Sequence, residues 1–575
     1  MFTLGAAISS ALIVAGVGAS SLYGNHCKCY PGDACWPRAG EWARLNETVG
    51  GRLVATVPLG SPCHDPNYDE GLCSELRRRW RDATVQSSRT CSIASSSSVM
   101  STLFANLSCD PFQPRETACR VGSYVRYAVD VRQANDVAAT LSFARKHNIR
   151  LVIRNTGHDF LGRSTGAGAL ALWTQHLKET RILDWADKRY VGKALRIGAG
   201  VWGFEANEAA RKAGLVVVGG ECPTVGIAGG YTQGGGHSAL SNAFGLSADN
   251  TLSFEVVTPS GRVVTASASN KHRDLYWALS GGGGGNFGVV LSATVKAHPS
   301  VRVGGANFTV TAPQGHDGDV QKAWDPLISA IPAMVDAGLT LVYFVIGTTF
   351  RGLAVTGYNM TEAQVRLAMK PLEAAVSSQG LSLQASFSEF SSYQQHMAHY
   401  FGTPSNDSFS LTGAISGAVY GGHLYPRSAL AKLPEVSREI IKRGGGIYGV
   451  ALDVSRFGSG SSNAVLPQWR RTIVHNLVGI LLKDGAPIEY VKQQRDRITQ
   501  EFQPLQEAAA PGGGAYMNEA DFQQPNFQDT FFGANYPRLL KIKKKYDKDG
   551  LLYVTAGVGS EDWHVGEDGR MCRTR

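Results

Sequence analysis

IRNTGHDFLGRST, residues 153–165, follows a short apolar run and sets one His between a Gly and an Asp in a polar loop. The residues before it say where that loop lies. YVRYAVDV (124–131) alternates as a strand does. QANDVAATLSFARKHN (133–148) puts Val137, Leu141 and Ala144 on one helical face, and IRLVIR (149–154) is a second short strand. The loop carrying His158 therefore opens at the carboxyl end of a strand in a strand–helix–strand unit, where ligands bind in α/β sheets. Two further glycine-rich loops follow, GGECPTVGIAGGYTQGGGH (219–237) and GGGGGNFG (281–288). Glycine lets backbone N–H groups approach anionic groups such as phosphates closely. None of the three loops is a Walker loop. None is a GxGxxG opening a helix in a first βαβ unit, which disfavours a Rossmann nicotinamide site.

Around these loops the chain divides by texture. ALRIGAGV (194–201) and LSFEVVTPSGRVVTAS (252–267) read as strands, the latter a pair turning at 259–261, and WALSGGGGGNFGVVLSATVKAH (277–298) as a loop entering a strand. This gives an α+β domain over 120–300. Residues 301–507 mix LTLVYFVIGTTF (339–350), read as one strand, with the helical TEAQVRLAMKPLEAAVSS (361–378), and form a second α+β domain. AAAPGGGAY (508–516) reads as a linker or hinge. The tail over 529–554 reads as a loop, a helix and a final strand, with KIKKKYDK (541–548) as a solvated helix face rather than a nucleic-acid site.

Composition bounds the function. The 575 residues are 43% hydrophobic and 18% charged, enough for a large core in two or more domains and unlike a disordered or coiled-coil chain. A net charge of +9 without a long basic run implies no nucleic-acid partner. The start, MFTLGAAISSALIVAGVGASS, is apolar, short and ends in small residues, so 1–19 reads as a secretory signal, and no other stretch is long and apolar enough to span a bilayer. Sequons at Asn46, Asn106, Asn307, Asn359 and Asn406 agree as glycosylation sites in a secretory lumen. Eight of ten cysteines fall within a Cys-rich extension over 20–119, read as disulfide-forming; no His stands at zinc spacing, so no metal is expected. Eight can pair among themselves, leaving Cys222 and Cys572. Cys222 is then a small buried residue, a disulfide partner of Cys572, or a functional thiol.

RNTGHDFLGRS together with GECPTVGIAGGYTQGGGHS resembles the flavin domain of the vanillyl-alcohol-oxidase and p-cresol-methylhydroxylase superfamily. The tail YMNEADFQQPNFQDTFFGANYPRLLKIKKKYDKDGLL (516–552) resembles the C-terminal segment of berberine-bridge-enzyme-like proteins, and the Cys-rich start resembles fungal secreted members of the isoamyl-alcohol-oxidase type. The resemblance implies a two-part FAD-binding domain of p-cresol-methylhydroxylase type, a separate substrate domain, and a 508–575 segment completing the flavin site. It implies FAD bonded through its C8 methyl to His158 and through ring carbon 6 to Cys222. Backbone and side chains of Arg154, Asn155, Thr156, Gly157, Asp159, Gly162, Arg163 and Ser164, and of Pro223, Thr224, Gly226, Gly229 and Gly230, would cradle pyrophosphate and ring. Asn286 and Gly288 would approach the flavin, as would Asn518 and Asn535. His237 and Asp249–Asn250 fall near the cofactor, His237 with packing as an equal alternative. The run over 225–236 is one residue longer than in plant members, leaving Tyr231 nearest the pyrimidine-edge position. Tyr516 is the expected catalytic group or a positioning one; as a base it needs its pKa lowered. The implied reaction is hydride transfer from an alcohol, sugar or metabolite to flavin, with oxygen as acceptor. A dehydrogenase using another acceptor and a flavin-free binding protein are the alternatives. Tyr343, Tyr393, Tyr400 and His423 are candidates for contacting substrate.

Overall fold

The strand–helix–strand unit forms as read, from strand Tyr127–Asp130 through helix Ala134–Lys146 to strand Leu151–Arg154. The Asp136 carboxylate starts the helix, accepting from the backbone N–H of Arg132 and Gln133 at 2.9 and 3.2 Å, and pairs with Arg52 at 2.6 Å. Val137, Leu141 and Ala144 are buried. Strand Leu170–Trp173 lies between the two strands and parallel to both, with Leu53–Ala55 antiparallel on the edge. All four residues of Leu170–Trp173 are buried, as in a parallel strand covered on both faces. Strands 151–154 and 170–173 therefore end on the same side, and the His158 loop emerges there.

A computed structural model describes residues 26–87, 100–404, 417–458 and 462–574. The proposed leader, Cys91 and Asn406 lie outside the described residues. Beside the first sheet stands an antiparallel five-stranded one, in the order Thr180–Ala186, Val191–Gly198, Val289–Lys296, Thr251–Val257 and Val263–Ser267. A third, seven-stranded antiparallel sheet has the order Ser382–Phe390, Val303–Thr311, Thr349–Tyr358, Leu339–Ile346, Gly446–Ala451, Thr472–Leu481, Ala418–Pro426. Helices Trp324–Asp336, Glu362–Ser377 and Leu433–Lys442 share a core with one face of it, including Leu341, Tyr343, Val345, Val474 and Val478. Alternation sends Phe344, Ile346, Leu477, Leu481 and Tyr420 the other way, onto a cavity shared with the glycine loops.

Four sequence expectations are corrected. Residues 339–350 are two strands of a hairpin, broken at Gly347, whose φ of +51° a β-branched residue would resist. The 508–516 stretch is no exposed hinge. Leu424 N–H donates to Gly514 O, Ala515 N–H donates to Thr530 O, and a side chain on Gly513 would strike Leu424 O. The tail has its helix, Tyr536–Tyr546, but the final strand is a single parallel bridge from Leu552 to Leu151. Within the basic run Lys543 is buried and ion-paired to Asp547 at 2.7 Å. A three-residue step between Lys541 and Lys544 turns the intervening residues Ile542 and Lys543 inward.

The disulfides close differently from an all-N-terminal set. Cys27 pairs with Cys572, 545 residues away, beside the local bridges Cys29–Cys35, Cys63–Cys73 and Cys109–Cys119. Cys572 is thereby taken, and the Cys222–Cys572 alternative falls. Among the described residues no helix is long and apolar enough to cross a membrane.

Candidate active site

The His158 loop is a tight turn fastened at both ends. The Asp159 carboxylate accepts from Leu161 N–H at 3.0 Å and Ser164 N–H at 2.5 Å, while Gly157 takes a φ of +91°. Arg163 spends its guanidinium on three carbonyls of the tail, Thr555, Met517 and Ala556, at 3.0–3.2 Å. These bonds draw the C-terminal segment over the loop. Asn155 Nδ2 donates to Thr174 Oγ1 and Ala199 O, tying the loop to both neighbouring sheets. His158 Nε2 lies 2.7 Å from Thr224 Oγ1 and 3.9 Å from Cys222 Sγ, so the first two glycine loops meet there. Burial pushes the His158 pKa down to about 4, which keeps the imidazole neutral and its lone pair available.

Around the cavity stand Asn155, Thr156, Gly157, His158, Asp159, Arg163, Ser164, Cys222, Gly226, Gly229, Gly230, Gly288, Tyr516 and Asn518. Asn518 Nδ2 bridges Gly230 O at 2.8 Å and Tyr516 Oη at 2.9 Å. Tyr231 also lines it and donates to His237 O. Other expected residues sit outside. Arg154 is buried against the Trp173 ring, where burial lowers its pKa to about 9. Gly162 packs on Phe104, and Pro223 O accepts from Phe204 N–H. Thr224 meets the site through His158 Nε2 at 2.7 Å and Cys222 Sγ at 3.6 Å. Asn286 Nδ2 donates to Gly282 and Gly283 carbonyls and its Oδ1 accepts from Val558 N–H, so it pins the third loop to the tail. Asn535 donates to Ala464 and Val465 carbonyls, away from the cavity. Asp249 is paired to Arg470 at 2.8 Å, and Asn250 to Phe244 O, Leu246 O and His298. Tyr343, Tyr393 and Tyr400 are in apolar cores and His423 bonds Ala510 O; the cavity is lined instead by Phe160, Phe344, Ile346, Tyr420, Ile447 and Tyr448.

A charged group, of which the sequence pointed only to His237, stands beside Tyr516. His237 Nδ1 lies 3.3 Å from Glu221 and its Nε2 3.1 Å from Glu519, which also meets His475 Nε2 at 2.9 Å. Burial alone would strip the proton from His237; Glu519 and Glu221 outweigh it and raise the pKa well above 6.5. Burial would raise the Glu519 pKa, and His237 reverses that and depresses it. Tyr516 does not acquire a lowered pKa: burial and the Glu519 and Glu221 charges raise it, against hydrogen bonds from Asn518 and Gly236 N–H. Donor atoms of His237, His475 and Glu519 lie within 4.8 Å of one another, and the hydrogen bonds just described occupy them.

Residues 125–267 match the FAD binding domain family, and residues 515–559 the berberine and berberine like family. The FAD-linked oxidoreductase ZEB1 of Gibberella zeae is 47% identical over 548 residues, 95% of each chain. The VAO-type flavoprotein oxidase VAO615 of Thermothelomyces thermophilus is 38% identical over 565 residues, again 95% of each. The crystal structure of VAO-type flavoprotein MtVAO615 from Myceliophthora thermophila superposes with a TM-score of 0.88 at 38% identity, covering 95% of this chain and all of that one. The bifunctional decalin synthase calF of Penicillium decumbens is 37% identical over 585 residues, 98% of this chain and 99% of that one. The chain belongs to the berberine-bridge-enzyme-like FAD-linked oxidoreductases of the vanillyl-alcohol-oxidase superfamily.

The cavity of this FAD-linked oxidoreductase fits its cofactor on its own chemistry. A side chain built on Gly230 would meet nothing within 4 Å, so the backbone there faces open room. Asn155, Glu221 and Gln233 line the cavity, and each carries one buried side-chain oxygen (Oδ1, Oε1 and Oε1) without a hydrogen-bond partner, an acceptor that a bound group would satisfy. Of the residues missed by sequence reasoning, Glu221 and Glu519 had a signal: each adjoins a singled-out residue, Cys222 and Asn518. His475 had none, since only strand register brings it there.

Proposed function

We propose that this oxidoreductase is a secreted oxidase that converts a lipophilic alcohol of secondary metabolism to its carbonyl, with FAD held covalently through His158 and Cys222. The observation that carries the reading is the neutral His158 imidazole 3.9 Å from Cys222 Sγ on the cavity floor. The C8 methyl and carbon 6 lie on one edge of the isoalloxazine, so one ring can meet both side chains. When bound, FAD supplies a two-electron acceptor that takes hydride from the substrate and passes the electrons to oxygen, giving hydrogen peroxide. The chain's own part is to hold and dry the site: Asn518 fixes Tyr516 against Gly230, and the seven-stranded sheet roofs the substrate side.

That roof selects the substrate class. Phe344, Ile346, Tyr420, Ile447, Tyr448, Leu477 and Leu481 present no charged group, and an apolar wall leaves most hydroxyls of a sugar without partners. A lipophilic alcohol is therefore favoured over an oligosaccharide. The division into an FAD domain (120–300), a substrate domain (301–507) and a closing segment (508–575) is supported by where these wall and loop residues fall. The four disulfides among the described residues support the secretory lumen, and exposed Asn106 and Asn359 suit glycosylation. A relative named a decalin synthase supports oxidative cyclisation as a second reading.

Acid precipitation tests the linkage. A yellow pellet is expected for the parent and for His158→Ala or Cys222→Ala alone, and a colourless one for the double variant. A colourless parent pellet refutes covalent attachment. Peroxide formed in air at the rate of dye reduction under nitrogen supports the oxidase; dye reduction without peroxide in air makes the protein a dehydrogenase.

A further inference from the structure

The buried Glu221–His237–Glu519–His475 group is a feature that the oxidase reading does not use. Glu221 and Glu519 are both at the cavity, and His237 sits between them with a ring nitrogen toward each carboxylate. Only one Glu221 oxygen, Oε2, faces His237; Oε1 is buried and has no hydrogen-bond partner. A carboxylate oxygen out of water without a donor is costly, and the cost is removed when a ligand hydroxyl donates to it. The groups facing Glu221 and His237 from other elements are tyrosines 231, 393, 448 and 516, with Cys222, His475 and Glu519. Among these described residues there is no Lys or Arg, so His237, 3.3 Å away, is the cation beside Glu221.

We propose that Glu221 Oε1 is the proton acceptor for the substrate hydroxyl, with His237, clamped by Glu519 and His475, as its positioning group. The proposal rests on the oxidase reading. Tyr516, with its proton held tightly, then positions rather than abstracts. In the step, the substrate O–H bond breaks and its proton goes to Glu221. The neighbouring C–H bond breaks with its electron pair, hydride goes to the FAD that reading supplies, and the C=O bond forms. Hydride and proton together balance the reduction of one oxygen molecule to hydrogen peroxide. Chain position agrees: Glu221 adjoins Cys222, and ring carbon 6 adjoins the hydride-accepting side of the flavin.

The test compares 4-methylphenol with 4-methylanisole, the same apolar body with and without a hydroxyl donor, by calorimetry on the purified holoprotein. The parent is expected to bind the phenol about tenfold or more tighter than the ether, the difference a hydrogen bond to a charged acceptor makes. Glu221→Gln is expected to bring the two affinities within a few-fold, and His237→Gln to shrink the gap partly. A parent that does not discriminate, or a Glu221→Gln variant that discriminates as the parent does, overturns the proposal. Calorimetry needs no flavin signal, so a colourless acid pellet would sink the covalent reading without touching this result. With cinnamyl alcohol as probe, anaerobic flavin reduction is expected to fall by two orders of magnitude or more in Glu221→Gln, with partial rescue in Glu221→Asp. Reduction by Glu221→Gln at the parent's rate also overturns it.

Discussion

Replacing Lys543 with Met should loosen the whole C-terminal closure of the flavin cavity. Lys543 Nζ donates to Asp547 Oδ2 at 2.7 Å, to Asn286 O at 2.8 Å and to Leu552 O at 2.7 Å, with side chains 8% and 1% exposed for the pair. Asp547 in turn accepts from the N–H groups of Leu551 and Leu552, both at 2.9 Å. One ammonium thus ties the third glycine loop, the tail helix and the crossing over the first sheet. Met fills the volume but leaves a buried carboxylate without a cation and two carbonyls without a donor. Removing one partner of such a pair costs roughly 3–5 kcal/mol. Asn at 547 removes the stranded charge and keeps one of the two oxygens that the Leu551 and Leu552 N–H groups use separately. Lys543→Met/Asp547→Asn should therefore be more stable than Lys543→Met, with a coupling of about 2 kcal/mol. Urea unfolding followed by flavin fluorescence measures both. A single variant that loses less than about 1 kcal/mol, or a double variant no better than the single, refutes the reasoning.

Three further outcomes are expected. Arg163→Lys keeps the charge but not the planar fork that reaches Thr555, Met517 and Ala556, so about 2 kcal/mol should be lost and the tail should become the first site of limited proteolysis; unchanged cleavage would contradict this. His298 and His396 are held neutral, burial lowering their pKa values to about 4 and about 3. Their folded values are depressed, so their contribution is present above the ordinary 6.5 and lost as pH falls toward 4, at up to ~1.4 kcal/mol per pH unit each. His396→Phe should make the acid limb of the urea midpoint profile shallower, and a parallel profile would count against it. His237 has the opposite sign. Its raised value makes its contribution full below 6.5 and lost as pH rises through the folded pKa. His237→Gln should flatten the alkaline limb, which an unaltered limb would disprove.

Legibility in the sequence followed the range of the interaction. Helix Ala134–Lys146 and its flanking strands were readable because Val137, Leu141 and Ala144 repeat at helical spacing and the neighbours alternate. The pairing of His158 with Cys222 was readable only through resemblance to a family, since 64 residues separate them. Where a residue's partners come from a distant segment, reading failed. Asn535 looked like a flavin contact and holds carbonyls 70 residues back. Lys543 looked solvated because its neighbours are basic, while its partners are Asn286 and Leu552. Tyr343 and Tyr393 looked available to substrate, but strand parity and helix packing turned them into the core.

The opening stretch, IRNTGHDFLGRST, shows the division plainly. By itself the sequence determined that a loop with a neutral-capable His leaves a buried strand, because glycine placement and alternation are local properties. Tertiary structure decided what faces that loop. Arg163 is committed to the tail rather than to an anion, Cys572 is committed to Cys27 rather than to Cys222, and His237 is charged because two carboxylates from residues 221 and 519 converge on it. Burial sets those outcomes, since the cost of an unpaired charge depends on neighbours that folding alone assembles.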